Sequence, residues 1–274
     1  MADDTLIHDP AGGMPRLLEI MRRLRDPQTG CPWDIEQDFN TIAPYTIEES
    51  YEVADAIARA DWGDLEGELG DLLLQTVYHT QMGTEAGLFT FESVVKNIAD
   101  KMVARHPHVF GDESRDKSAA QQTADWEKIK AAERAGKAQA RTLDGVAIGL
   151  PGMTRAVKLQ NRMARVGFDW ADTQDVLDKI IEESQELIQA RDAKDADEME
   201  AEFGDLLFVV ANLARHLDID PEAAVRRTNA KVISRFASIE DALAKDGRTP
   251  AQSDLTEMDS LWDAAKRTER NISD

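Results

Sequence analysis

Glu49 and Glu52 stand three residues apart, as do Glu68 and Asp71, and the same two pairs return as Glu183 with Glu186 and Glu202 with Asp205. On a helix, a spacing of three places both carboxylates on one face within about one turn. If two such helices pack as an antiparallel hairpin, four carboxylates converge. At about 4 Å two like charges repel by roughly 1 kcal/mol in water and about 4 kcal/mol at an effective dielectric of 20. A cluster of that kind needs a bound cation or raised pKa values. Donors that are all oxygen suit Mg²⁺, or Mn²⁺ in its place, better than zinc. A lone ExxE pair is more often a solvated helix face, so the repetition is what points to ligation at all eight positions.

The elements that must carry these acids are helices. Apolar residues recur at spacings of three and four, runs of alternating β-branched residues are few, and an all-α fold follows. Helices are expected over 13–25, 46–60, 64–83, 91–105, 120–136, 152–165, 173–191, 197–217, 221–245 and 254–270. Thr46 with Glu49 has the form of a capping box, and Pro221 stands where a first-turn proline would. IEESYE at 47–52 returns as IEESQE at 181–186, and ELGDLLL at 68–74 as EFGDLLF at 202–208, each 134 positions later. Lys101 and Arg105 return as Lys231 and Arg235 after 130 positions, and Trp126 and Lys130 as Trp262 and Lys266 after 136. CPWD at 31–34 has a weaker echo in GFDW at 167–170. The chain reads as a tandem duplication of one helical unit. Its first domain is expected over 13–136, a Gly- and Ala-rich linker over 137–152, and its second domain over 153–270.

Composition narrows the classes of partner. With 53 acidic against 32 basic residues the net charge is −21, which repels nucleic acid from most of the surface. A small anion can still dock where a bound cation reverses the local field. A single cysteine, Cys31, excludes an intramolecular disulfide and a thiolate metal cluster, and reads as a turn or packing residue. The opening MADDTLIHDPAGG has no basic stretch leading into an apolar run, and about 18 consecutive apolar residues occur nowhere. No membrane association and a cytoplasmic location are therefore expected. Gly12-Gly13 is too short to cradle phosphates and no P-loop sequence occurs. His106-Pro-His108, with a proline between and no cysteine near, reads as structural.

The pattern EExxE followed by ExxD, as Glu48-Glu49-x-x-Glu52 with Glu68-x-x-Asp71 and Glu182-Glu183-x-x-Glu186 with Glu202-x-x-Asp205, resembles the MazG family of nucleoside triphosphate pyrophosphohydrolases. RLRDPQTGCPWD (23–34), TIAPYTIEESYEV (41–53), RHPHVF (105–110), VGFDW (166–170) and ANLARHL (211–217) carry the resemblance through nearly all the chain after residue 13. It implies an all-α tandem MazG-like bundle that cleaves between the α and β phosphates, giving a nucleoside monophosphate and pyrophosphate. Mg²⁺ on Glu183, Glu186, Glu202 and Asp205 would bridge phosphate oxygens and activate the attacking water. Lys231 and Arg235, four apart on one helix, suit the phosphates, as does Lys266. Trp262 offers a stacking surface for the base. The resemblance also implies a homodimer in which units pair.

The two copies are not equivalent. Lys179 lies one turn before Glu183 where the first copy has Tyr45, and Asn229 corresponds to Ala99. Lys179, Glu182 and Asn229 therefore join Lys231, Arg235, Trp262 and Lys266 as expected substrate contacts of the principal site. Lys101, Arg105, Trp126 and Lys130 are their first-copy relatives, beside a cage of Glu49, Glu52, Glu68 and Asp71 expected to hold metal with little turnover. Two other classes remain open at this level. A ferritin-like di-metal bundle also uses helix-borne carboxylates, but it calls for Glu-x-x-His, and that motif does not occur here. A non-catalytic helical scaffold would keep the apolar stripes while its acids drift, whereas here the acids are among the best kept positions between the copies.

Overall fold

The computed structural model describes residues 4–119, 121–122, 125–126, 129 and 141–273, with the backbone alone over 270–273. The chain divides into two compact units, Met1–Ala131 and Ala132–Asp274. Unit 1 contains α1 (Thr5–His8), α2 (Gly13–Leu24), α3 (Pro32–Glu36), α4 (Phe39–Arg59), α5 (Trp62–Glu85), α6 (Phe91–Arg105) and α7 (Pro107–Phe110). Unit 2 contains α8 (Gly152–Ala164), α9 (Thr173–Ala193), α10 (Ala196–His216), α11 (Pro221–Ala244), a 3-10 turn at Pro250–Gln252 and α12 (Leu255–Ser273). Among the described residues there is no strand, and no helix is long and apolar enough to cross a membrane.

The hairpins α4–α5 and α9–α10 are built by one local recipe, used twice. An aspartate caps the first helix: Asp38 accepts from the amides of Asn40 and Thr41, and Asp172 from those of Gln174 and Asp175. Each first helix stops at a residue in the left-handed region, Ala60 at φ 54° and Lys194 at φ 57°. The next amide reaches back five residues, Asp61 N to Ala56 O at 3.0 Å and Asp195 N to Ala190 O at 3.2 Å, closing a Schellman-type end. That same aspartate caps the second helix, Asp61 accepting from Asp64 N and Asp195 from Glu198 N. Ala56 and Ala190 are both buried at the joint, where a small side chain lets the two backbones approach. Two residues thus reverse the chain and set the rotation of one acid-bearing helix against the other.

Helix α4 begins seven residues before the expected start at 46 because the cap is Asp38, which forms a capping box with Thr41. Thr46 is no cap: its hydroxyl lies inside the helix, 2.9 Å from His79 Nε2. Pro44 sits within this helix, forgoing one amide bond to the preceding turn. The short helices α3 and α7 have no clear periodicity in the sequence, and each starts with a proline at its first position, where a missing N–H costs nothing. Most of the helix expected over 120–136 falls outside the described residues. Pro221 opens α11 behind the cap Asp220, as its sequence position suggested.

In unit 1, Met21 of α2 packs with Ile42 of α4 and with Val77, Tyr78 and Met82 of α5, flanked by Met14, Leu17, Leu18, Leu74 and Phe91. Fully burying such a side chain contributes about 1.5–3 kcal/mol. In unit 2, α8 packs on α10 and α11, α9 on α10, and α11 on α12. Its core pairs Val176, Val209, Ile239 and Leu243 with two buried amides, Gln160 and Asn212. His106 Nδ1 lies 2.7 Å from Met102 O at the end of α6 and its ring packs on His108 and Phe110, a structural setting for the His-Pro-His stretch.

Candidate functional site

The hairpins bring three of each four acids together. Carboxylate oxygens of Glu49, Glu68 and Asp71 lie within 4.8 Å of one another in unit 1, and those of Glu183, Glu186 and Glu202 do so in unit 2. Among the described residues no histidine or cysteine joins either group, so both donor sets are all oxygen. The fourth acid differs between copies: Glu52 and Asp205 stand outside the groups, exposed on α4 and α10. Both still act on the cluster through their charge. Burial first, then Asp71, Glu52 and Glu68, raise the Glu49 carboxyl above its ordinary value. Burial, with Glu186, Glu198, Glu183 and Asp205, raises Glu202 likewise. Carboxylates that resist ionisation for want of a counter-charge fit a divalent cation.

A fifth acid in each copy went unnoticed in the sequence. Glu198, one turn before Glu202, and Asp64, one turn before Glu68, contribute to the raised pKa values of those glutamates. They too are 134 positions apart, so the same comparison of copies contains the signal.

The basic groups separate the copies. Lys179 Nζ lies 2.7 Å from Glu183 Oε1 and 3.0 Å from Glu182 Oε1, and these partners, Glu183 above all, raise its pKa. Glu183 is itself 5% exposed. In unit 1 the corresponding Tyr45 instead packs edge-on against Trp33, ring centroids 6.3 Å apart. There the nearby cation is Arg59, held by Asp55, Asp61 and Asp64, and its charge opposes the rise at Glu68. Residue 193, its counterpart, is alanine.

The remaining expected substrate contacts lie on α11 and α12, which pack on each other. Asn229 and Lys231 are exposed on α11. Arg235 donates to Glu269 at 2.7 and 3.0 Å and lies 5.4 Å from the Trp262 ring centroid. Lys266 Nζ is 3.2 Å from Asp263. Among the described residues, the ion-pair partners of Arg235 and Lys266 are therefore local acids rather than the four carboxylates of the cage. In unit 1, Lys101 is exposed on α6, while Arg105 and Trp126 are half-buried. Lys130 lies outside the described residues.

A cavity of about 300 Å³ opens beside α10, lined by Gln160, Met163, Phe168, Asp169, Trp170, Phe208 and Asn212. The chain enters its rim at Gly167, whose φ of +86° is a conformation that a side chain would strain. Asp169 is fixed there by Arg215 and by His216 Nε2 at 3.3 Å. Burial works to raise the Asp169 carboxyl, but Arg215 and His216 together hold it below its ordinary value.

The family model for the MazG nucleotide pyrophosphohydrolase domain matches residues 37–110 and again 172–238, the segments that carry both hairpins. A nucleoside triphosphate pyrophosphohydrolase of Escherichia coli (strain K12) is 50% identical over 259 residues, spanning 94% of this chain and 98% of that protein. A nucleoside triphosphate pyrophosphohydrolase/pyrophosphatase MazG of Thermotoga maritima is 41% identical over 250 residues, spanning 91% and 94%. With two acid-bearing hairpins of one design and a family model that matches each, the chain belongs to the MazG family, with the domain present twice.

Proposed function

We propose that the chain hydrolyses nucleoside triphosphates between the α and β phosphates, releasing a nucleoside monophosphate and pyrophosphate, and that turnover occurs at the unit 2 cage. The observation that carries this reading is the pairing of three close carboxylates, one of them buried, with Lys179 at their edge. Glu183, Glu186 and Glu202, with Asp205 beside them, would hold Mg²⁺, or Mn²⁺ in its place, which when bound supplies charge neutralisation and activation of a water. The residues supply the rest. Lys179 carries an ammonium next to the cage and can exchange Glu182 and Glu183 for a phosphate oxygen. Glu198 adds negative charge that strengthens the demand for a cation. Lys231, Arg235 and Lys266, with Asn229, present a basic and polar face on the α11–α12 pair that suits a triphosphate.

Unit 1 is proposed to hold metal and to turn over little, since Tyr45 offers no charge to a phosphate and Arg59 is already held by three aspartates. A homodimer accords with each cage being an open helical hairpin that needs a second wall to enclose a nucleotide. The names of the relatives support the substrate class and the all-oxygen donor sets support the metal. The deciding measurement is a panel of ribo- and deoxynucleoside triphosphates with Mg²⁺, scoring monophosphate and pyrophosphate together. Equal amounts of both products are expected; phosphate with a diphosphate would contradict the bond assignment.

A further inference from the structure

Among the described residues, Lys179 is the one cation that pairs with an acid of either cage. It reaches Glu183 at 2.7 Å and Glu182 at 3.0 Å, both one turn further along its own helix, α9. The two partners differ in their surroundings. The Glu182 side chain is 58% exposed and that of Glu183 only 6%. Water screens the first pair, whereas the second supplies the counter-charge that a buried carboxylate needs. Glu183 is also one of the three acids whose oxygens converge with those of Glu186 and Glu202. One carboxylate therefore serves two cations, an ammonium of the chain and a divalent ion held by the group, and these repel each other at contact range.

Unit 1 has the cage without the competitor. Tyr45 stands at the position of Lys179 and sets its ring against Trp33. Among the described residues no lysine or arginine pairs with Glu49, Glu52, Glu68 or Asp71, and Arg59 is held instead by Asp55, Asp61 and Asp64. The unit 1 acids thus have no paired counter-charge that a metal must displace.

We infer that Lys179 is an exchangeable counter-ion of the unit 2 cage: it competes with a divalent ion for Glu183, and a triphosphate relieves the competition by drawing the ammonium onto a phosphate oxygen. The inference rests on the triphosphate reading above for the anion that receives the ammonium. Unit 1 accordingly takes a divalent ion unaided, while unit 2 takes it weakly alone and firmly together with the nucleotide. Linkage makes the effect reciprocal, so the nucleotide binds better once Lys179 has been displaced from Glu183. Glu182, still within reach, keeps the displaced ammonium at the rim of the cage.

The test reads Mn²⁺ binding to the full-length protein by electron paramagnetic resonance of the free ion. Glu68→Gln is the common background, so that the unit 1 cage is disabled and unit 2 is titrated. Without nucleotide, Lys179→Met is expected to bind Mn²⁺ about tenfold more tightly than this parent, within the usual range of couplings between sites. Lys179→Gln, which can still hydrogen-bond Glu183 but carries no charge, should do the same and replaces Lys179→Met if that variant does not fold. Lys231→Met removes an equal charge from the exposed face of α11 and should change Mn²⁺ affinity little; equal tightening there would assign the effect to net charge and overturn the exchange. The probe α,β-methylene-ATP, which resists cleavage between the α and β phosphates, should tighten Mn²⁺ by a factor about tenfold larger in the parent than in Lys179→Met. Chelation by the analogue itself is common to both and cancels. A Lys179→Met protein that binds Mn²⁺ no more tightly than the parent overturns the competition, and equal tightening by the analogue in both proteins overturns its relief. If both Mn²⁺ results hold while the wild type releases no pyrophosphate, the proposed activity falls and the exchange stands. Pyrophosphate release without any Mn²⁺ difference sinks the exchange and leaves the activity.

Discussion

The two hairpins share their caps, their left-handed joints and the positions of five acids, yet some of the positions expected to face a substrate differ, Tyr45 against Lys179 and Ala99 against Asn229. Unit 2 sets Lys179 at 2.7 Å from Glu183 and leaves an amide-walled cavity beside Phe208 and Asn212. Unit 1 puts Tyr45 against Trp33 and Tyr78 against Asp34, and ties its local cation, Arg59, to three aspartates. A metal-binding framework is set by backbone geometry and a few acids, whereas a substrate site also requires a cation at the edge of the cage and empty volume. The first set can survive a duplication in both copies while the second is kept in one.

The comparison is broken or sharpened most strongly by removing one acid from each cage. Glu202→Gln is expected to cut pyrophosphate release by about 10²–10³, the usual scale for losing one group that stabilises transition-state charge. Glu68→Gln should leave the rate within about twofold, since few substrate-facing groups surround it. Equal losses would make the copies equivalent. Next, Lys179→Ala should lower kcat/KM about 10- to 100-fold, the value of a hydrogen bond to a charged group, while Tyr45→Ala leaves it unchanged. Steady-state kinetics with Mg²⁺ decide the pair.

Smaller effects concern the packing of unit 1, where Tyr78 stands at the position of Asn212. Tyr78→Phe removes the hydroxyl bonded to Asp34 and should cost about 1 kcal/mol of stability, read as a shift of the urea midpoint; Asn212→Ala, which opens a cavity already present, should shift the midpoint less. The smallest effect is one of pH. Glu257, beside Arg248 at 2.5 Å and Ser253 at 2.6 Å, is held down at about 2. A depressed carboxyl contributes stability at pH values above its unfolded pKa and loses it as pH falls toward 2. Wild type should therefore lose stability between pH 4.5 and 2 more steeply than Arg248→Ala, by a small margin because both groups are partly exposed. Thermal melts across that range would reverse the assignment if the slopes coincide.

Much of the hairpin geometry is legible in the sequence because it is written twice. A constant separation of 134 positions identifies the acid-bearing helices, and would have revealed Asp64 and Glu198 as well. The start of α4 is not legible from Thr46 and Glu49, since a capping box is a local pattern that Asp38 and Thr41 satisfy better upstream. That the Arg235 guanidinium is bound to Glu269 depends on how α11 meets α12, a tertiary contact with no spacing of its own. Gln160 and Asn212 are hidden for another reason: they occupy core positions in apolar stripes, and only a structure distinguishes a satisfied buried amide from one whose oxygen lacks a hydrogen-bond partner among the described residues.

The two-residue joints at Ala60–Asp61 and Lys194–Asp195 make each hairpin intolerant of a change in length. One residue inserted there would turn the second helix by about 100° and carry Glu68 or Glu202 to the far side, so the metal framework would be lost in a single step. The repeat separation accordingly holds at 134 through both hairpins and slips to 130 only by Lys101 and Lys231, beyond the joint. Divergence in length is thus confined to the connections outside the hairpins, and each hairpin is inherited as a block in which side chains can change but register cannot.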